Sequence, residues 1–592
     1  MQVKNRRLIT LWDRKDEIVG NYRDWYNGLD PDKALDAKKI ENADEILTPI
    51  INRFENADGD AVISYGMSMI IINNKYRCFE NSKFPHGISR VQSLKRMPAV
   101  VLLAALLFVP FLSYSQSHNY WTRSFNEESS LLSGAVVGGG AGPSAIYYNP
   151  ASISEITASS FSFHTSLFSF EFIDIKNALG DGINLSSSRG TIEPRFVSYM
   201  LQPKNNPDLS FEFAFLNNEN FHQQFARSVD KEIDILTNLP GVERYFALFN
   251  YSNRYRDDWF GVGSSWKINP RLSMGASMFI TVKQSRYQYS LDIEAYPILD
   301  SSYLGDDYSF YSANSQENEI IKFNDYRLLW KFGMLYKHDR FSFGLSLTTP
   351  SVGGIYSDGK QVSRKQKQSN ISFTETGVPL PDYVVVDYKE KKEVMVNAKS
   401  PLSIAVGFTY YLVENSHIIY SSLEYFSGID PYRLVQADES PNIISGSVLH
   451  LIDNNEWLTF VGGAKPLLNA AIGYRWNVKE NVMMMAGFRT DFNYRKDINY
   501  SPMPGIKKVK GLDLDLYHFS TGLSWNILGQ DLITGFQYTI GKEKNQEQFA
   551  NLSNPVEFNT EELVPLQGTR QNTMDTFLKS ISLYFGATIN FK

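Results

Sequence analysis

Residue types that could do chemistry are few in this chain and poorly spaced for it. There are eight histidines and one cysteine. Cys78 precedes an apolar stretch read below as an export signal. The exported part therefore has no disulfide, no cysteine metal cluster and no thiol nucleophile. His118, His164, His222, His338, His417, His450 and His518 are scattered through it. None stands in a His-x-x-x-His or a carboxylate cluster at ligand spacing, so neither metal nor cofactor is expected. A serine hydrolase would need Ser, His and an orienting group together. No histidine sits in a nucleophile motif, and no Gly-x-Ser-x-Gly lies near a loop edge. His338 and His417 read as solvated turn residues and His518 as a polar lumen group. The acidic run Asn56–Asp60 fails as a calcium loop, because placing Gly59 at loop position 6 puts Phe54 and Tyr65 at the terminal ligand positions. The chain is not read as an enzyme.

Two further segments carry information. The first, Ser133–Pro143, is glycine-rich and contains Gly138, Gly139, Gly140 and Gly142. A phosphate loop would continue into Lys-Ser/Thr and a helix, and neither follows. Close backbone packing is the better use of these glycines. Asn149-Pro150-Ala151 comes next. Pro150 keeps Asn149 out of the α region, which predicts a turn. The second segment, Met97–Gln116, has Lys95 and Arg96 ahead of it, an apolar core from Val100 to Leu112, and Ser113 and Ser115 before a cut at Gln116. This is the order of an export signal, and the apolar run is short of the ~20 residues that a spanning helix needs. Residues 91–115 are assigned to the signal. Residues 1–90 are expected to be an upstream extension from a mis-assigned start, with translation beginning at Val91.

The elements that position everything else have period two. Leu272, Met274, Ala276, Met278, Ile280 and Val282 alternate with Ser273, Gly275, Ser277 and Thr281. Leu468, Ala470 and Ile472 alternate with Asn469, Ala471 and Gly473. Phe519, Leu523 and Trp525, and then Ile581, Leu583, Phe585, Ala587 and Ile589, continue the pattern. Successive strand side chains face opposite ways, and runs of 10–13 residues suit a tilted membrane strand. Short turns (203–208, 269–270, 338–340, 413–416, 477–480, 528–530) alternate with long connections (174–192, 218–253, 293–317, 351–397, 429–466, 495–511, 544–578). Short periplasmic turns and long outer loops mark an outer-membrane barrel. The expectation is an all-β transmembrane fold: about fourteen antiparallel strands over 157–592, both ends in the periplasm, and 116–156 as a plug. Aromatic content of 14% suits such strands and their girdles. A net charge of −6 with no basic stripe gives no reason to expect nucleic acid. Lysine at Met278 or Ile472 would then be costly, and lysine at Ser273 or Asn469 cheap. Phe279, Tyr411 and Tyr584 are aromatics in the otherwise small or polar lumen phase, and are candidates to line a greasy path.

The glycine-rich segment, Tyr147-Tyr148-Asn149-Pro150-Ala151, the stretch Trp330–Pro350, the Pro401–Tyr411 strand and the closing Ser582–Phe591 together resemble the FadL/TodX family of outer-membrane transporters for long-chain fatty acids and hydrophobic compounds. The resemblance covers nearly all of 116–592. It implies a small hatch inside a fourteen-strand barrel and passive movement of a hydrophobic ligand when the hatch shifts. It departs at Gly140–Ser144, where family members carry acidic residues. The implied setting is the outer membrane of a Gram-negative cell. The partners expected are outer-membrane lipid, a hydrophobic small molecule and, during biogenesis, the barrel-assembly machinery, with the protein a monomer. The alternatives are a structural or adhesive barrel with display loops, a porin or, further off, a barrel lipase.

Overall fold

The computed structural model describes residues 60–65, 68–73, 119–156, 159–298, 311–413, 416–437, 442–443, 456–495, 498, 507–527 and 530–590. The expected export signal lies outside the described residues, as do residues 1–90 apart from one antiparallel hairpin, Asp60–Tyr65 with Ser68–Asn73. That hairpin belongs to a compact unit, Met1–Phe108, separate from the unit Val109–Lys592 that holds the rest. No helix among the described residues is long and apolar enough to cross a membrane.

Fourteen strands form the wall. They are β1 (Ser160–Lys176), β2 (Leu185–Leu201), β3 (Leu209–Ile233), β4 (Glu243–Asn269), β5 (Leu272–Pro297), β6 (Ala313–His338) and β7 (Phe341–Thr348). There follow β8 (Ser403–Val413), β9 (His417–Phe426), β10 (Leu467–Lys479), β11 (Val482–Asp491), β12 (Leu516–Ile527), β13 (Gln530–Gln546) and β14 (Met574–Asn590). Each pairs antiparallel with the next, and β14 closes on β1 from Asp575↔Lys176 to Asn590↔Ser160. Closure is what lipid demands, because an unpaired edge would leave backbone groups with no partner.

Met274, Met278, Ile280, Leu468, Ile472 and Phe585 are exposed on the outer face, while Ser273 and Asn469 are buried on the inner one. Met278→Lys or Ile472→Lys should each cost about 2–4 kcal/mol in urea titrations of the lipid-embedded barrel. Lysine at Ser273 or Asn469 is not the cheap change that the sequence suggested. Ser273 Oγ accepts a hydrogen bond from Ser154 Oγ at 2.9 Å, and Asn469 Oδ1 accepts one from Phe492 N at 3.0 Å. The inner face is covered by protein, where an unpaired charge costs more than in water.

The long connections also differ from their expected form. Much of 174–192, 218–253, 293–317 and 351–397 is strand, and β3 to β6 run for 25–27 residues. Their alternation continues beyond the lipid-facing belt but inverts. On β4 the apolar residues Phe260, Val262, Trp266 and Ile268 are exposed near the short turns, whereas nearer the loops Tyr245, Ala247, Phe249 and Tyr251 point inward and Leu248 alone of the apolar residues there is exposed. On β5 Met278 and Ile280 point outward and Tyr287, Tyr289 and Leu291 inward. Outside the bilayer the outer face meets water, so the apolar side must turn in. There it joins a core with Val362, Val435, Phe460, Leu512 and Phe549 from the connections. Glu557 ties the connections together, accepting from Thr237 N and Ser372 N at 2.7 Å each. The outer connections thus fold into a cap on its own core.

Candidate functional site

Asn119–Ile156 lies within the ring of strands. A short helix, α1 (Glu127–Leu131), starts at Asn126, whose side chain accepts from Ser129 N at 2.9 Å. It sits on β12: Ser520 Oγ donates to Leu131 O at 2.9 Å and pairs with Ser133 Oγ at 2.6 Å. On the opposite side Ser342 of β7 donates to Gly138 O. Val137 N donates to Ser422 Oγ of β9 at 3.2 Å, and Ile146 N donates to Glu212 of β3 at 3.2 Å. Ser277 of β5 donates to Ile146 O at 2.9 Å. Ion pairs add Glu155–Lys337 at 2.7 Å and Glu128–Arg475 at 3.6 Å. Burial raises the Glu128 carboxyl from its usual range, and Arg475 opposes the shift. The segment is therefore pinned to several different strands and not to one side.

Asn149-Pro150-Ala151 is a cap more than a plain turn. Asn149 is extended (φ −154°, ψ 104°) and precedes a 3-10 helix, Pro150–Glu155. Its Oδ1 accepts from Ala151 N at 3.1 Å, and Pro150 has no N–H to satisfy. Its Nδ2 donates to Val137 O at 2.9 Å and to Met334 O of β6 at 3.0 Å. One side chain thus fixes the helix start, the glycine-rich run and the wall. The wall answers with glycine. Gly344 of β7 and Gly407 of β8 are opposite one another, and a Cβ at either would stand 1.8 Å from Val137 O or 2.2 Å from Gly138 N. Gly138 is equally confined, with Phe408 N 2.7 Å from its missing Cβ, while Gly139, Gly140 and Gly142 have positive φ.

The first residues of the segment, Asn119–Ser124, run nearer the cap. Asn119 Nδ2 donates to Asp491 O at 2.6 Å and to Leu514 O at 3.0 Å. Asp491 also accepts from Trp121 N at 2.8 Å and Thr122 Oγ1 at 3.1 Å. Trp121 Nε1 donates to Glu424 at 2.6 Å, and Arg489 donates to Ser124 Oγ. This stretch separates two cavities, and Asn119 lines both. One, of about 110 Å³, is walled by Tyr120, Tyr147, Tyr255, Trp259, Tyr432 and Tyr494, with Lys283 and Asp257 at its edge. Tyr120 stacks on Phe426 at 4.3 Å and Tyr494 at 4.5 Å. Lys283 Nζ donates to Ser400 Oγ at 2.6 Å. The other cavity, of about 80 Å³, is lined by Arg195, Gln223, His518, Gln537 and Leu512 among others. Gln223 is fully buried there with no hydrogen-bond partner for its amide.

That second cavity lies beside a parting in the wall. β2 and β3 pair only between Phe196–Leu201 and Phe211–Leu216, although both strands run on towards the cap. At the parting β2 has a register shift between Phe196 and Pro194, and β3 has one between Asn217 and Glu219. Proline cannot donate to a ladder, and bulges end pairing. The freed stretch of β2 pairs on its other side with β1 beside Phe170 and Phe172, which are exposed on the outer face. The gap therefore stands at the level of lipid-facing residues.

Of the aromatics singled out from sequence, Phe279 is buried between Trp259 (5.2 Å between ring centres) and Gly261. Tyr584 donates to Gln537 Oε1 at 2.8 Å and lies under the Arg195 guanidinium. Tyr411 is half-buried near the short turns. None of the three lines either cavity. As cavity-lining residues Tyr120, Tyr147, Tyr255, Tyr432 and Tyr494 escaped sequence reading because they come from the N-terminal segment, the strand extensions and the cap. The histidines divide. His417 and His338 stack with Trp476 (6.0 Å) and Phe341 (4.9 Å) in an aromatic girdle at the short turns. His518 bonds Thr539 Oγ1 at 2.8 Å and Asp491 at 3.4 Å. That Asp–His–Thr row resembles a hydrolytic arrangement, but its carboxylate already accepts from Trp121 and Thr122 and serves as an anchor. Among the described residues no group of His, Cys, Asp and Glu could hold a metal ion.

The site and wall together define a transmembrane β-barrel with an occupied lumen. No family model and no curated protein matches this chain. Among solved structures it is similar to a Pseudomonas aeruginosa FadL homologue, with 13% identity, TM-score 0.46, 80% of this chain and 100% of that one covered. It is also similar to the P. putida toluene transporter TodX, at 13%, 0.45, 79% and 99%, and to the CymD monoaromatic hydrocarbon channel, at 10%, 0.40, 79% and 98%.

Proposed function

We propose that the protein is a passive outer-membrane transporter of hydrophobic molecules, with long-chain fatty acids or aromatic hydrocarbons as its substrate class. The observation that carries this reading is the parted β2–β3 seam beside a cavity inside a plugged barrel. A water-filled porin has no use for a side opening at lipid level, but a molecule that prefers lipid to water does. The aromatic cavity gives such a molecule a first resting place, favoured by roughly 25 cal/mol for each Å² of apolar surface removed from water. Asn119–Arg123 stands between it and the seam, so displacement of that stretch would join the two. Lys283 at the cavity edge could neutralise a carboxylate, which suits a fatty acid. No energy source is needed, since the ligand moves down its own gradient. The cap gives a display or adhesive role one supporting feature, but the hatch and the seam serve no purpose in it.

The test is a closable seam. Thr191→Cys and Asn220→Cys put one thiol on each edge of the gap, both lining the second cavity. A short reducible cross-linker should slow uptake of a long-chain fatty acid or an aromatic hydrocarbon into liposomes to near the empty-liposome rate, and reduction should restore it. Unchanged uptake after complete cross-linking would overturn the lateral route. Uptake equal to empty liposomes throughout, with free passage of small sugars, would make the protein a general porin.

A further inference from the structure

Two buried polar side chains line the second cavity without the partners that burial demands. Gln223 is fully buried, and neither atom of its amide has a hydrogen-bond partner among the described residues. Arg195 is 4% exposed, and among the described residues no carboxylate pairs with it. Its Nη1 donates to the Tyr584 hydroxyl at 3.2 Å, its guanidinium lies 4.9 Å from the centre of the same ring, and its Nε is left over. A buried amide or charge without partners costs more than an apolar side chain in the same place. The other arginines of the lining are matched. Arg189 stands opposite Glu171 in the β1–β2 register, and Arg123 donates to Asn217 Oδ1 at 2.7 Å and Asn220 O at 2.8 Å.

Both residues reach the cavity because of the two register shifts at the seam. On β2 Phe196, Ser198 and Met200 face inward. The ladder with β1 then skips Arg195, pairing Phe196 with His164 and Pro194 with Thr165. Without that bulge Arg195 would point out of the barrel. On β3 Ser210, Glu212, Ala214 and Leu216 face inward. The ladder with β4 skips Asn218, and beyond it the inward residues are Glu219, Phe221, Gln223 and Phe225. Without that bulge Gln223 would face outward. A bulge disrupts pairing and re-aims side chains. Here two of them aim an arginine and an amide at one chamber.

Donors and acceptors select the ligand. An amide presents a donor and an acceptor however it is turned, so its complement is a group that does both, such as a hydroxyl. A guanidinium only donates, and its strong partner is an anion. The cavity, of about 80 Å³, has room for a head group and not for a chain, so both groups belong to one end of the ligand. The seam beside it stands at the level of lipid-facing residues, where the chain would lie. We infer that this chamber is a head-group site for a long-chain acid with a hydroxyl close to its carboxylate, Arg195 taking the carboxylate and Gln223 the hydroxyl. The inference rests on the proposed function for the ligand's route, and it narrows the ligand. A hydrocarbon or a plain fatty acid has no donor for the Gln223 oxygen.

The test measures equilibrium binding to the full-length protein in detergent, and then uptake into liposomes, for three matched probes. They are a long-chain acid, its β-hydroxy derivative, and the diol obtained by reducing the carboxylate of that derivative. Wild type should bind the β-hydroxy acid about tenfold more tightly than either of the others, the worth of one buried hydrogen bond. Gln223→Leu should lose the preference over the plain acid, and its barrel should unfold at the wild-type temperature or above it, because an unpaired buried amide is gone. Arg195→Gln should lose the preference over the diol and keep the preference over the plain acid. Gln224→Leu, the next residue on the exposed outer face, should change neither ratio. Equal or absent binding of the three probes to wild type, a preference that survives in Gln223→Leu, or a barrel destabilised by that change would each overturn the assignment. Expected binding ratios with no uptake above empty liposomes would instead overturn the transport reading and leave the head-group site standing.

Discussion

Deleting Leu131–Ala145 is expected to turn a closed lumen into a conducting pore. The deleted stretch contains Leu131, Leu132, Val136, Val137, Ala141 and Ala145, all buried against the inner wall. It also contains the backbone groups that bond Ser520, Ser422 and Ser342. The wall does not rest on these contacts, because its closure is the β14–β1 ladder and the antiparallel pairs around the ring. A barrel that keeps its heat-modifiable migration should therefore show long-lived conductance steps in planar bilayers where the full-length protein shows almost none. Unchanged conductance would mean that the segment is not a plug. Asn119–Arg123 and Pro150–Glu155 keep their own anchors in the variant, so the remnant should stay in the lumen.

The second large effect is expected from adding side chains at the glycine pair packed against Val137 and Gly138 of the proposed plug. In Gly344→Val the new Cβ would meet Val137 O at 1.8 Å, and in Gly407→Val it would meet Gly138 N at 2.2 Å. Both obstacles are backbone atoms, which cannot rotate aside, and overpacking of this kind costs about 1–3 kcal/mol or more. The strand itself favours valine over glycine. The strain should therefore fall on the plug, by breaking the Asn149–Val137 and Ser342–Gly138 contacts, and not on the wall. Either variant should leak ions and become sensitive to protease between Leu131 and Ala145, while the barrel unfolds at the wild-type temperature or above it. Gly190→Val is the control: its Cβ would meet only the Phe170 ring at 3.4 Å, and it should neither leak nor lose its plug. Loss of barrel stability in Gly344→Val with the plug still protected would show that the pair serves the wall instead.

Much of the fold was legible because membrane strands write two facts into each residue pair. Met278 and Ile280 face outward for the same reason that Ser277 and Thr281 face inward, and strand count followed from turn rhythm. Asn149 was legible as special, since a residue before proline is restricted, but not its triple role, because Val137 O and Met334 O reach it only through the fold. The cap was missed for a physical reason. Beyond Asp258 the apolar phase passes to the other face, so β4 stops resembling a lipid-facing strand even though its pairing with β3 and β5 continues to Glu243.

The sequence alone determined that the chain makes a closed antiparallel barrel, because alternation over 10 or more residues in lipid leaves no other way to satisfy the backbone. It also determined that a glycine-rich segment must pack closely before the first strand. Tertiary structure decided the rest. Phe279, Tyr411 and Tyr584 share the lumen phase with many residues, yet which aromatics wall a cavity depends on what lies across from them. Tyr120 meets Tyr432 and Tyr494 there from more than 300 residues away in the chain. The β2–β3 parting is likewise a matter of pairing between strands, which no single strand's pattern contains.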